Sequence, residues 1–385
     1  MSIPTENINT RLKAFRKRME EKQIEAVVLW DPDNQYYLSG FKAISYSRPI
    51  VYWIYPETTA YIIPELEDLH AEENAHTTHF HVYHERYNRG TNDTSFLTPF
   101  MRLLRELPAG TKVGVECEIL PAYVYQNIRK QGYEAVDIGR DLIELRSIKE
   151  EEEIKWLEEA GRLSDVALEA SFQHLSLGMS ELEFDSYGDQ ALLKAASEAY
   201  PEVVVGYENW TCSGVRRSAM PHLYSSTRTF ESGDPVVHSR QVWINGYRAE
   251  NERTFLFKGK ATEEQKTLLK LAIDAQKAGM EAVKPGVRAC DVDLAAYQVI
   301  KEAGYEEYID HRIGHGLGLS EHEEPYLRFD NELVLEEGMV YTIEPGIYVP
   351  GVGGFRHSDT VIVTADGSRS ITHYPRSYED MLIEE

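Results

Sequence analysis

Three blocks in the second half of the chain gather the residue types that carry out hydrolysis. They are GDPVVHSRQVWINGYRAENERTFLF (233–257), HRIGHGLGLSEHEEP (311–325) and GMVYTIEPGIYVPGVGGFRHSDTVIV (338–363). Together they supply Glu250, Glu252, His315 and Glu344, and His222 stands 11 residues before Gly233. A histidine that titrates near neutrality can take a proton from water and return it to a leaving nitrogen. Carboxylates can hold a planar cation by charge-assisted hydrogen bonds, or ligate divalent metal together with a histidine. The glycines at 314, 316, 318, 351, 353 and 354 read as turns and close backbone approach, because no phosphate-cradling context follows a strand here.

These residues need elements to hold them. Residues 7–23 carry apolar positions at helical spacing and lead into EAVVLW (25–30), which reads as a buried strand. NQYYLSG (34–40) has turn formers at both ends, and VYWIYPETTAYIIP (51–64) reads as two strands joined by a Pro-Glu-Thr-Thr turn. MRLLREL, KVGVE, AYVYQNIRKQG and EAVDIG then alternate helix and strand, so about the first 145 residues read as a small α/β domain. SIKEEEEIKWLEEAGRLSDVALEASFQHL (147–175) has the 3.6-residue period of a long helix with an acidic start, and the domain boundary is placed just before it. Ser180 to Glu183 and Thr262 to Gln265 are capping patterns that open two more helices, and 284–304 holds a turn and a helix that Gly304 can end. Alternating apolar segments at 235–257 and 339–363 suit an antiparallel sheet backed by those helices.

Composition narrows the function classes. At 385 residues the chain can bury two cores, giving expected domains at 1–147 and 148–385. No apolar run approaches the roughly 20 residues a membrane span needs, and the first residues lack the apolar centre of a secretory signal, so a cytoplasmic location is expected. Sixty-four acidic against 40 basic residues give a net charge of −24, which repels nucleic acid and anionic membranes. Cys117, Cys212 and Cys290 are odd in number and lack CxxC spacing, which argues against disulfides and zinc–thiolate sites.

The order of the three blocks resembles aminopeptidase P, prolidase and creatinase, over nearly the whole chain. The resemblance implies an α/β N-terminal domain and an α+β pita-bread C-terminal domain with a curved antiparallel sheet. It also implies ligand positions for a metal pair, two Asp, one His and two Glu in the peptidases, which fall here on Ser239, Glu250, His315, Glu344 and Ser358. A neutral serine hydroxyl supplies no charge against two dications, so a dinuclear site is not expected. His238 and His357 adjoin the two serines, but adjacent strand residues point to opposite faces and cannot replace a ligand without a bulge.

Within that family the creatinase branch hydrolyses a C–N bond without metal, and its pattern resembles this chain at several places. His222 matches its catalytic histidine, Glu252 and Glu344 match its guanidinium-holding carboxylates, and Tyr46-Ser-Arg48 resembles its carboxylate-holding segment. The resemblance therefore implies no metal and no cofactor, and a creatinase-like amidinohydrolase that converts creatine and water to sarcosine and urea. His222 would be the acid–base, with Glu252 and Glu344 on the cation. Tyr46, Arg48, His315, Arg328, Glu250 and His357 would complete the substrate site. The working unit implied is a homodimer with a shared active site and a small-molecule substrate. Ser358 and Tyr46 depart from the creatinase pattern, which leaves another guanidino acid or a cyclic amidine open as substrate. The competing readings are a metal-dependent Xaa-Pro dipeptidase or aminopeptidase with an altered site, and a non-catalytic pita-bread binding protein.

Overall fold

A computed structural model describes residues 3–86, 92–220 and 222–385. Its backbone separates into two units, residues 1–145 and 146–385. In the first, α1 (Thr5–Lys22) buries Ile8, Leu12, Phe15 and Met19 along one stripe and leads into β1 (Ala26–Leu29). The segment with turn formers at both ends is the body of α2 (Pro32–Ser39), because the Asp31 side chain accepts the backbone N–H groups of Asp33 and Asn34 and Pro32 starts the helix. β2 (Val51–Ile54) and β3 (Thr59–Pro64) form the expected hairpin. They are followed by α3 (Asp68–Asn74), β4 (His79–Tyr83), α4 (Leu97–Glu106), β5 (Lys112–Val115), α5 (Ala122–Lys130), β6 (Glu134–Asp137) and α6 (Gly139–Ser147). The strands make one mixed sheet in the order β4-β3-β2-β1-β5-β6, with Val28, Trp53, Phe100 and Val113 in its core.

The second unit opens with α7 (Glu151–Gln173) and α8 (Glu181–Ala199), the latter started by the reciprocal Ser180–Glu183 capping box. β7 (Val205–Ser213), α9 (Gly214–Ser218), β8 (Pro235–Ile244) and β9 (Tyr247–Phe257) follow, then α10 (Glu263–Ala282) and α11 (Ala289–Glu302). The remaining strands are β10 (Gly314–Gly316), β11 (Glu323–Leu327), β12 (Val340–Ile343), β13 (Gly346–Val349), β14 (Gly353–Arg356), β15 (Ser358–Thr364), β16 (Gly367–Ser370) and β17 (Leu382–Ile383). The main sheet runs β11-β10-β12-β15-β9-β8-β7 with antiparallel neighbours, and this curved sheet backed by helices is the pita-bread architecture. Among the described residues no helix is long and apolar enough to cross a membrane.

The β8–β9 hairpin sets the geometry of everything on the sheet. Asn245 and Gly246 both take positive φ, 49° and 89°, which is the two-residue turn whose twist matches paired strands. That turn pairs Ile244 with Tyr247 and hence Gln241 with Glu250 and Ser239 with Glu252, while β15 places Ser358 opposite Glu252. Alternation then gives one face to Ser239, Gln241, Glu250, Glu252 and Ser358 and the other to His238, Arg253, Phe255, His357 and Asp359. The second face is packed against helices. Phe255 meets Phe172 of α7 and Phe184 of α8 at ring-centroid distances of 4.9 and 5.5 Å, and Phe230 at 6.0 Å.

Buried Arg253 ties that packed face together, donating to Asp359 at 3.0 Å and to the carbonyls of Ser358, Tyr374 and Pro375. Phe255→Ala should remove the centre of the aromatic cluster and cost about 3–5 kcal/mol of stability. Chemical denaturation of the two proteins measures it, and a loss below about 1 kcal/mol would place the core elsewhere.

Candidate functional site

On the open face of the sheet lies a cavity of about 600 Å³, lined by Trp210, His222, Tyr224, Ser239, Gln241, Glu250 and further residues from the two glycine-rich blocks. His315 projects from β10, and Glu344 follows β12. The two strands lie close because residue 314 is glycine: a Cβ there would sit 2.0 Å from the Thr342 carbonyl oxygen.

Glu250, His315 and Glu344 each offer a ligand atom within 4.8 Å of the others. His315 Nε2 is 3.4 Å from Glu344 Oε1 and 3.8 Å from Glu250 Oε2. The imidazole is fully buried, and its Nδ1 donates to the Gly316 carbonyl at 2.9 Å. That bond leaves a lone pair on Nε2, which has no hydrogen-bond partner among the described residues. A buried lone pair facing two carboxylates lacks a proton donor and fits a divalent cation. The donor set of two carboxylates and one imidazole suits such an ion as well.

The electrostatics agree with that fit. Burial acts to raise the Glu250 carboxyl, but His315, Gln241, Ser358 and Arg356 outweigh it and hold it below the usual carboxylate range. Gln241 Nε2 and Ser358 Oγ donate to its two oxygens at 2.8 and 2.7 Å. Burial and the neighbouring charge of Glu250 push Glu344 well above that range. Two carboxylates that cannot both ionise comfortably are a place where positive charge is missing.

Glu252 does hold a guanidinium, but it is one of the protein's own. Arg356 Nε and Nη2 donate to its two oxygens, each at 2.5 Å, and both side chains are buried. Arg356 Nη1 reaches the Tyr348 hydroxyl at 3.2 Å, and that hydroxyl donates to His311 Nε2 at 2.8 Å. Burial, aided by Arg356, lowers His311 to about 4, so the ring is neutral and can accept.

His222 stands on the cavity wall, its pKa lowered by partial burial and by Arg356. His357 does not join it. It lies on the helix-packed face, where Nε2 donates to the Thr254 carbonyl at 3.1 Å and burial pushes its pKa to about 3. His238 is likewise on that face, bonded to Thr211 at 2.8 Å. Arg328 grips Asp330 with two nitrogens and lines an adjoining cavity of about 1120 Å³ that shares His311 and Arg312 with this one, and it is not on the wall of the 600 Å³ cavity itself. Tyr46 and Arg48 belong to the N-terminal unit, where Tyr46 is 87% exposed and Arg48 Nε donates to Glu85 at 2.7 Å.

Sequence reasoning passed over several wall residues: Gln241, His311, Arg312, His322 and Arg356. His311 and His322 flank His315 in the same block, four residues before and seven after, and that spacing was the available signal. Arg312 stacks on Tyr326, 4.1 Å from the ring centroid, and its buried Nε has no hydrogen-bond partner among the described residues.

Comparison with known proteins bears on this site. Residues 155–365 match metallopeptidase family M24, and residues 11–148 match the creatinase/prolidase N-terminal domain. The chain is 31% identical to an Xaa-Pro dipeptidase of Pyrococcus horikoshii over 96% of its own length and 98% of that protein. It is 33% identical to the Xaa-Pro dipeptidase of Pyrococcus furiosus over 95% and 98%. The solved prolidase of Thermococcus sibiricus superposes with a TM-score of 0.87 at 28% identity, covering 100% of both chains.

These matches correct the expectation of a metal-independent, creatinase-like amidinohydrolase acting on creatine. The two Pyrococcus relatives, which span the chain, are Xaa-Pro dipeptidases, and the Glu250, His315 and Glu344 cluster offers a cation the ligands that reading did without. The shared scaffold explains the resemblance, since His222, Glu252 and Glu344 match by position, and position alone does not reveal that Glu252 faces Arg356. The chain belongs to metallopeptidase family M24, as a hydrolase with an N-terminal α/β domain and a pita-bread C-terminal domain.

Proposed function

We propose that this protein is a metal-dependent dipeptidase of the Xaa-Pro type, hydrolysing the peptide bond of a small substrate with water. The observation that carries the reading is the unpartnered, buried Nε2 of His315 facing the carboxylates of Glu250 and Glu344. Glu250, His315 and Glu344 are the proposed ligands of a divalent cation, which when bound supplies Lewis-acid polarisation of a carbonyl and activation of water near neutral pH.

The chain's own residues prepare the rest. Gln241 and Ser358 fix the Glu250 carboxylate from both sides, and the Gly316 carbonyl fixes the His315 tautomer. Arg312 forms no ion pair among the described residues and stands on the cavity wall, which suits it to the terminal carboxylate of a dipeptide. His222, on the same wall, is placed to hydrogen-bond the bound peptide. The cavity of about 600 Å³ is of small-ligand size, consistent with a short substrate.

Three outcomes are expected. Exhaustive chelation should abolish cleavage of Xaa-Pro dipeptides and manganese, cobalt or zinc should restore it; cleavage that resists chelation and leaves no bound metal would sink the reading. Ser358→Ala and Gln241→Ala should each weaken metal affinity by about 10–100-fold, the usual effect of removing a group that orients a ligand, as measured by titration calorimetry. Arg312→Met should raise KM by roughly 10–100-fold for free dipeptides, the worth of charge-assisted hydrogen bonds, and much less for the same dipeptides with an amidated C-terminus. An equal effect on both substrates would remove the carboxylate role.

A further inference from the structure

We infer that this site holds a single divalent cation and that Arg356, clamped by Glu252, supplies in protein form the positive charge that a second ion would bring. The inference rests on the peptidase reading of the same cavity and adds its metal count and the residue that replaces the missing ion.

The pairing register carries the argument. Ser239, Glu252 and Ser358 lie directly opposite one another across three neighbouring strands, so Glu252 sits between the two serines on the cavity face. Ser358 Oγ is engaged as a donor to Glu250 at 2.7 Å, and Ser239 stands opposite Glu252 in the strand pairing with only a neutral hydroxyl to offer. A serine used in this way presents no anionic oxygen to a metal. The remaining carboxylate in the row, Glu252, is taken by two parallel bonds from the planar guanidinium of Arg356, the geometry that arginine makes best.

Charge balance points the same way. Glu250 and Glu344 supply two negative charges around His315, and one dication neutralises them. Glu252 supplies a third, and Arg356 neutralises that. A second dication would find no free carboxylate beside the serines and would meet a fixed guanidinium on the cavity wall. Arg356 cannot drift away, because the Tyr348 hydroxyl holds its other nitrogen at 3.2 Å and neutral His311 holds that hydroxyl.

The test is metal stoichiometry of the full chain, independent of turnover. Metal-stripped protein is titrated with manganese by calorimetry, and the bound content is confirmed by elemental analysis and native mass spectrometry. Wild type should bind one ion per chain, and Arg356→Lys, which keeps the charge, should also bind one. Arg356→Gln frees Glu252 and should raise the content towards two, while Glu252→Gln combined with Arg356→Gln should return it to one. Two ions in the wild type, or one in Arg356→Gln, would overturn the inference and leave the peptidase reading standing. No ion in the wild type at millimolar manganese would overturn both. If Arg356→Gln does not fold, the wild-type count alone decides, one supporting and two refuting.

Discussion

The register of β8 against β9, fixed by the Asn245–Gly246 turn, is the constraint on which the site depends. Side chains alternate with a period of two along a strand, so a slip of one residue would carry Ser239, Gln241, Glu250 and Glu252 from the cavity face into the helix-packed core. The slip is opposed from the other side, where Arg253 and Phe255 would have to leave a fully buried environment. Arg253 reinforces this by bonding to Asp359 and to carbonyls of β15 and of the segment at 374–375, so that the strand carrying Ser358 is held in the same register. Placement of the chemistry on one face is therefore secured by packing and ion pairing on the opposite face.

The two faces handle buried charge in parallel ways. On the packed side Arg253 neutralises Asp359, and on the cavity side Arg356 neutralises Glu252. A buried ion pair repays its desolvation only when its remaining donors and lone pairs are also satisfied. Arg253 meets this with four carbonyls besides Asp359, and Arg356 with Tyr348 as well as Glu252. The Glu250, His315 and Glu344 group is the exception on the sheet. His238 Nε2 and His357 Nδ1 are also without partners among the described residues, but only His315 Nε2 faces two carboxylates, one of them driven upward, and a protein interior keeps such a deficit where a ligand is to supply the missing charge.

That difference also explains why a creatinase-like reading arises from the sequence and fails. Glu252 and Glu344 look alike in a linear alignment, each a glutamate in a short motif, Glu252-Arg-Thr and Glu344-Pro. In space they are unlike, since Glu252 is occupied by Arg356 and Glu344 opens towards His315. The serines at 239 and 358 argue against a full metal pair, but do not by themselves argue against every metal. Three side chains able to ligate a cation, from β9, β10 and the end of β12, converge in the fold although 94 residues separate Glu250 from Glu344.

Local pattern was legible wherever one segment decides its own conformation. The capping boxes at Ser180 and Thr262, the long acidic-start helix and the hairpin at 51–64 all follow from near-neighbour chemistry, and each is present. The opposite facing of His238 and His357 relative to their serine neighbours also follows from alternation alone. NQYYLSG, with turn formers at both ends, does not show its helix by itself, because that helix is set by the Asp31 cap and Pro32 just before it. The sequence by itself determined which residue types were available, the α/β and pita-bread architecture, and the serines at 239 and 358 where the family resemblance implies carboxylates. Only the tertiary structure decided that Arg356 takes Glu252, that Arg312 rather than Arg328 lines the cavity, and that His315 Nε2 is left facing two carboxylates. The physical reason is that charge pairing and desolvation act through space between strands distant in sequence, and no local period or motif encodes which partner is reached.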